Sequence, residues 1–339
     1  MSSPYKDTPS VLLPRRHLLR AGLASSLLLG LGACRRVSSE PIKFATNPWP
    51  GYDPLYVARD KGYFEEAGLA VNLVDLTSLG ASRRAFERGQ VDGCGATLVE
   101  ILLAADQAGL RPQIAAVVDY SDGADMVVGS GGLAGPADLR GRRVAIEPGT
   151  LHIQLLALAL ASASLTVRDV ILVPMPQNAM PAAFADGLVA AAVCFPPESN
   201  RLLESGGRVI FHSGQVPGEI VDTLVFEGGF VSRRGADVQA FVSAYHRAID
   251  FMVGNPDEAH GIMARRGGIS VEELRATIAG LRYVSRREQP DLLAPGGPVE
   301  RSLNQLQDAM LSLAQLRESR SLKDFLIARD LVALHGQTA

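Results

Sequence analysis

Cysteine is scarce in this chain, with 3 in 339 residues, and that is too few for a disulfide-built scaffold. Aromatic residues are also few, at 6%, with a single tryptophan. Neither sign of charge dominates: 33 basic residues stand against 36 acidic ones, which excludes the basic surface of a nucleic-acid binder. The 6 histidines show no metal-ligand spacing, and no Ser/His/Asp or Cys/His arrangement suggests nucleophilic catalysis. No apolar run approaches the ~20 residues needed to cross a bilayer. No repeat or low-complexity tract is present. What remains is ordinary globular composition, 47% hydrophobic and 20% charged, in a chain long enough for two lobes or domains.

The N-terminus has the order of an export signal. Arg15 and Arg16 are followed by His17-Leu18-Leu19-Arg20, then by an apolar stretch from Ala21 to Gly32 rich in Gly and Ser. The Arg pair resembles a twin-arginine leader, though the usual Ser or Thr before it is missing. Leu31-Gly32-Ala33-Cys34 resembles a bacterial lipobox, which would make Cys34 the lipidated first residue of a membrane-anchored body. Residues 1–33 are therefore expected to be a leader and residues 34–41 a tether.

Beyond the tether, short apolar strands alternate with helical patterns. Residues 42–45, 70–76, 91–94 and 114–118 read as strands, and 55–68, 82–88 and 97–108 as helices. The alternation restarts at 126–128 and then gives way to helices after Phe226. Such a rhythm predicts parallel sheets covered on both faces. Cys94 and Cys194 fall at strand ends and read as buried thiols. The run Gly129-Ser130-Gly131-Gly132 reads as a turn, since no acid lies ~20 residues on to make a dinucleotide site.

Several stretches carry a resemblance. They include Asn47-Pro48-Trp49-Pro50-Gly51-Tyr52-Asp53-Pro54-Leu55, Lys61-Gly62-Tyr63-Phe64, Gly89-Gln90-Val91-Asp92-Gly93, Pro148-Gly149-Thr150, Phe184-Ala185-Asp186-Gly187 and Pro196-Pro197-Glu198. In their order and spacing they resemble the substrate-binding proteins of ABC importers, in the branch that carries nitrate, sulfonates, taurine and thiamine-pyrimidine precursors. The resemblance implies a type II periplasmic-binding-protein fold: α/β, two lobes, each a sheet flanked by helices, with the ligand in the interlobe cleft. It places lobe one at 42–126 plus 227–339 and lobe two at 127–226. It also implies a monomeric receptor with an ABC permease as partner, and no cofactor.

The expected ligand contacts follow the strand ends. Trp49 and Tyr52 sit in a proline-stiffened loop and could form an aromatic wall, or pack as ordinary core. Asp119, Asp125, Glu198 and Asp222, with Glu147 beside them, could select for a cation, or serve as caps and hinge contacts. Gly149 and Thr150 open a helix whose free N–H groups would suit an anion. Ser78, Thr97 and Glu100 are polar contacts or caps. No Lys or Arg stands out in the cleft loops. The acids and the lone Trp favour a cationic or heteroaromatic nitrogen solute, with a sulfonate, taurine or nitrate as the alternative. A pyrimidine-precursor synthase on the same fold is the competing class, but the chain lacks that branch's run of cysteines in its second half.

Overall fold

The computed structural model describes residues 40–327. The leader, Cys34 and the first part of the tether lie outside the described residues. In chain order the strands are β1 (Ile42–Thr46), β2 (Val71–Asp75), β3 (Gly93–Thr97), β4 (Pro112–Ser121), β5 (Met126–Gly129), β6 (Arg143–Ile146), β7 (Ile171–Pro174), β8 (Ala191–Cys194), β9 (Arg208–His212), β10 (Val221–Glu227) and β11 (Leu281–Tyr283). The helices that bear on the site are α1 (Pro54–Asp60), α2 (Leu79–Glu87), α3 (Leu98–Gln107), α4 (His152–Ser162), α5 (Glu198–Glu204), α6 (Gly228–Gly254), α7 (Pro256–Gly267) and α8 (Pro298–Ser312).

Two sheets form, and they are built alike. The first runs β11-β4-β10-β3-β1-β2 and the second β7-β6-β8-β5-β9. Each has a parallel trio, β2-β1-β3 or β7-β6-β8. Beside each trio lies one antiparallel strand contributed by the chain as it crosses between sheets, β10 or β5. The βα rhythm accounts for the trios, because a helical crossover returns the chain parallel. It does not account for β5 and β10, which make both sheets mixed. A strand that enters from the other lobe comes in at the opposite end of the sheet and must run antiparallel.

This corrects the expected lobe boundaries. Met126 already belongs to the second sheet, and β10, assigned from sequence to lobe two, is an interior strand of the first. An unbroken apolar run such as Val221–Phe226 is compatible with either sheet, so the sequence pattern could not assign it. The expected helix over 55–68 is also divided: α1 stops at Asp60, and Gly62 takes a left-handed conformation (φ 73°) before a short turn of helix at Tyr63–Glu66.

Local chemistry sets the helix starts that matter for the site. Ser78 caps α2 by accepting from the Ala81 N–H. Thr97 and Glu100 form a reciprocal capping box on α3. The core continues across the lobes: Leu98, Ile101 and Leu102 of α3, Leu155, Leu156 and Leu160 of α4, and Leu303 and Leu306 of α8 belong to one apolar cluster. The two crossing segments are pinned together as well. The Ser121 and Ser213 hydroxyls lie 2.7 Å apart, the Gly123 N–H donates to Ser213 Oγ at 2.7 Å, and the Asp125 N–H donates to Ser121 Oγ at 3.1 Å. The lobes are shut on one another.

Candidate functional site

In an open α/β sheet, ligand contacts gather at the carboxyl ends of the parallel strands. Here those ends face one another across the seam between the sheets. The loop after β1 carries Trp49 and Tyr52, the loop after β2 carries Ser78, and β3 ends at Thr97. From the second sheet come Glu147 after β6, Gln177 after β7, and Phe195 with Glu198 after β8.

The centre of the seam is acidic. Asp119 on β4 and Asp222 on β10 are direct partners across the antiparallel ladder, with Thr97 opposite Asp222 on its other side. Both carboxyls are buried, at 0% and 3% exposed. Each is held by one aromatic donor: Trp49 Nε1 donates to Asp119 Oδ2 at 3.2 Å, and the Tyr52 hydroxyl donates to Asp222 Oδ1 at 2.5 Å. The second oxygens, Asp119 Oδ1 and Asp222 Oδ2, have no partner. Burial drives both carboxyls far above their usual range; the Trp49 and Tyr52 donors pull the other way, and the neighbouring acids add to the rise. Asp125, 1% exposed, is pushed by burial to about 7 despite the nearby Ser121 hydroxyl.

An aromatic lid covers this centre. Phe195 from the second sheet meets Trp49 edge-on, with ring centroids 5.4 Å apart, and meets His152 at 5.9 Å. Gly51 lies against the same group. A side chain there would collide with Asp119 Oδ2 and come within 2.6 Å of Trp49 Nε1. The Trp49 loop is fixed from behind: the Tyr283 hydroxyl donates to the Pro50 carbonyl at 2.8 Å, and the Tyr245 hydroxyl donates to that of Gly51 at 3.3 Å. Arg266 on α7 donates to Asp53 Oδ1 at 2.8 Å and to the Asn47 carbonyl at 3.0 Å, pairs with Asp75, and stacks over the Tyr56 ring.

A second group spans the lobes at the start of α4. Glu100 Oε1 accepts from the Leu151 N–H at 3.0 Å, and the Ser78 hydroxyl donates to Glu147 Oε1 at 2.6 Å. Gly149 has a positive φ of 71°, and the Thr150 hydroxyl donates to the Glu147 carbonyl. His152 Nδ1 accepts from the Glu147 N–H, and burial holds this imidazole down at about 3, so it is neutral. Arg83 of α2 also reaches this turn: a side chain at Gly149 would lie 2.8 Å from its guanidinium. The absence of a basic residue expected from the loops therefore does not hold, because Arg83 arrives from a helix face.

The remaining candidate, Glu198, is already engaged. It accepts from Gln177 Nε2 at 2.9 Å and faces Arg201 at 3.4 Å, so it braces the Phe195 loop. Trp49, Tyr52, Thr97, Asp119, Asp125 and Asp222 thus converge, whereas Ser78, Gly149 and Thr150 form a neighbouring cross-lobe group. Sequence reasoning missed Phe195 and Gln177, although both follow parallel strands, and Arg266 and Arg83, which no local pattern marks. Cys94 and Cys194 are free, buried and in different sheets, and burial pushes both thiols up.

Residues 49–259 match the family described as NMT1/THI5 like. The chain belongs to the NMT1/THI5-like family. Among its relatives is the taurine-binding periplasmic protein of Escherichia coli K12, 25% identical over 262 residues that cover 74% of this chain and 80% of that one. The fold is that of the alkanesulfonate-binding protein SsuA from Xanthomonas axonopodis pv. citri, solved with MOPS (TM-score 0.73, 18% identity, covering 86% of this chain and 99% of that one). It is also that of the desulfurization enzyme DSZB (TM-score 0.65, 18% identity, 87% and 99%). The type of fold expected from the sequence is therefore present, and it is shared by a sulfonate-binding protein and by an enzyme. Among the described residues no helix is long and apolar enough to cross a membrane.

Proposed function

We propose that this protein is a solute receptor, exported and anchored through a lipidated Cys34, that closes its lobes over a small cationic or heteroaromatic nitrogen compound and presents it to an ABC permease. One observation carries the ligand class: the seam buries the Asp119–Asp222 pair beside Asp125, and the second oxygens of the pair have no hydrogen-bond partner. Buried charge of one sign is costly unless something neutralises it, and a cation with N–H donors does so directly. Trp49 and Phe195 offer faces and edges against which a flat or cationic group packs.

Arg83 beside Gly149 favours a second reading, an organic anion at the start of α4. Two facts weigh against it. The Leu151 N–H already serves Glu100, and Arg83 is already paired with Glu87. The enzyme reading gains nothing from the thiols, since burial of Cys94 and Cys194 opposes the thiolate a nucleophile needs.

The test is ligand-dependent thermal stabilisation with amines, amidines, pyrimidines, sulfonates, taurine and nitrate. A ligand at ~100 times its dissociation constant adds ~2.7 kcal/mol of stability. Stabilisation by nitrogen cations, lost in Asp222→Ala, supports the reading; stabilisation by taurine or nitrate alone replaces it with the anion reading.

A further inference from the structure

The Asp119–Asp222 pair poses a charge problem that the protein's own side chains leave unsolved. The groups facing it can be followed element by element. The loop after β1 offers Trp49 and Tyr52, one donor to each carboxyl. From α3 comes Glu100, occupied by Thr97 and Leu151. The crossing segment brings Asp125, another acid. α6 and β11 bring the Tyr245 and Tyr283 hydroxyls, which donate to the carbonyls of Gly51 and Pro50. The basic residue acting on Asp119 is Arg282 of β11, and it is bonded to Glu288 at 2.7 Å with about half its side chain exposed.

Two carboxylates opposed across one ladder, with two more acids near them, cannot all stay ionised where water is excluded. Two things can neutralise the pair, a shared proton or a cation. The lobes are closed here over carboxyls whose free oxygens, Asp119 Oδ1 and Asp222 Oδ2, face no donor. They sit on two different strands, so one group satisfies both only if it carries more than one donor hydrogen, which in an organic cation means more than one N–H.

We infer that the protein without its ligand keeps a proton on the Asp119–Asp222 pair, and that the ligand is a cation with at least two N–H donors (a primary ammonium, an amidinium or a guanidinium) that displaces this proton. Capture is then an exchange. A carboxyl O–H gives its proton to the buffer, and two N–H···O bonds take its place, with no change of oxidation state. The inference rests on the seam being the ligand site and narrows the nitrogen compounds it accepts. A quaternary ammonium satisfies charge but offers no donor to either oxygen.

The experiment is isothermal titration calorimetry of the purified protein at pH 7 in two buffers of different ionisation heat. The probes are benzamidine, benzylamine, phenyltrimethylammonium and benzenesulfonate. The expected result is that benzamidine and benzylamine bind with heats that differ between buffers by about one released proton, and tighten by up to about tenfold per pH unit. They should exceed phenyltrimethylammonium at least tenfold. In Asp119→Asn the release should vanish. Buffer-independent heats with cations still bound overturn the exchange and leave the cation reading standing. Equal affinity for the quaternary probe overturns the N–H requirement. Binding of benzenesulfonate alone, or of no probe, overturns the exchange and the cation reading together. A ligand-free control reads the proton itself: at pH 7 the protonated-carboxyl absorption in the infrared should be reduced in the Asp119→Asn/Asp222→Asn double variant, what is left belonging to Asp125, which stands at about 7. A wild-type spectrum with no more protonated-carboxyl absorption than the double variant overturns the proposal whatever binds.

Discussion

Glu100, inside the capping box of α3 in one lobe, accepts a hydrogen bond from the Leu151 N–H at the start of α4 in the other, at 3.0 Å. One carboxylate therefore closes its own helix turn and latches the lobes. Its other oxygen holds the Thr97 N–H at 2.7 Å and the Thr97 hydroxyl at 2.5 Å. Glu100→Ala removes all of this and leaves buried donors bare, at about 1–3 kcal/mol each. Glu100→Gln keeps a carbonyl oxygen for Leu151 and should cost less. Small-angle scattering should show Glu100→Ala more open than wild type, with Glu100→Gln between them. An Ala variant as closed and as heat-stable as wild type would remove the latch from the argument.

Stability should depend on pH in a direction set by the buried acids. The Asp125 carboxyl stands at about 7 in the folded protein, against about 3.9 in an unfolded chain. Between those values the folded state holds a proton the unfolded state has lost. Its contribution is complete below the unfolded value, falls as pH rises by up to about 1.4 kcal/mol per unit, and levels off once the folded value is passed. Asp119 and Asp222, raised further by burial, extend the fall to higher pH. His152 works oppositely, losing stability as pH falls from about 6.5 toward about 3. The clean window is therefore above pH ~6.5, where the histidine no longer compensates. Ligand-free melting temperatures should drop from there upward, and Asp125→Asn should flatten the first part of the drop. A level profile across that range would show that these carboxyls are already neutralised by something else.

The only tryptophan of the chain is at the seam, which makes it a built-in reporter. Trp49 is 3% exposed, bonded to Asp119 and edge-on to Phe195. A ligand that engages Asp119 must disturb that environment. Fluorescence titration should show a saturable change with the same midpoint as calorimetry. Trp49→Phe should abolish the signal and weaken a cation by about 0.5–2 kcal/mol. Binding with no change in emission would place the ligand elsewhere.

Much of this arrangement was legible before any coordinates. Trp49, Tyr52 and Asp119 lie in a loop or near the carboxyl end of a strand, where α/β sheets present ligands; Asp222, at the amino end of the antiparallel β10, was marked by the family resemblance instead. The two trios followed from the alternation of strands and helices. The sheet membership of β10 did not, because an all-apolar strand carries no periodicity that distinguishes one buried sheet from another. Glu198 illustrates a different limit. Its sequence position is that of a cleft acid, but Gln177 and Arg201 consume its oxygens, and pairing between residues 21 positions apart is invisible along the chain. Arg83 and Arg266 were illegible because helical arginines normally face water.

Arg266 supplies the last prediction. It is a positioning residue, reaching the site only through the loop that carries Trp49 and Tyr52. Its side chain is 8% exposed and that of its partner Asp53 4%. Breaking a buried ion pair by removing one partner costs about 3–5 kcal/mol, because the charge left behind stays buried. Arg266→Met should therefore lower the melting temperature strongly. The double variant Arg266→Met/Asp53→Asn should recover much of that loss, since no charge is then stranded. Affinity separates positioning from stability. Without the Arg266 bonds to Asp53 and to the Asn47 carbonyl, the loop loses its anchors, so the double variant should fold well yet bind its cation more weakly. Arg266→Lys, which restores charge but not the forked contacts, should recover stability better than affinity. A double variant that binds as tightly as wild type would show that Tyr245 and Tyr283 alone hold Trp49 and Tyr52 in place.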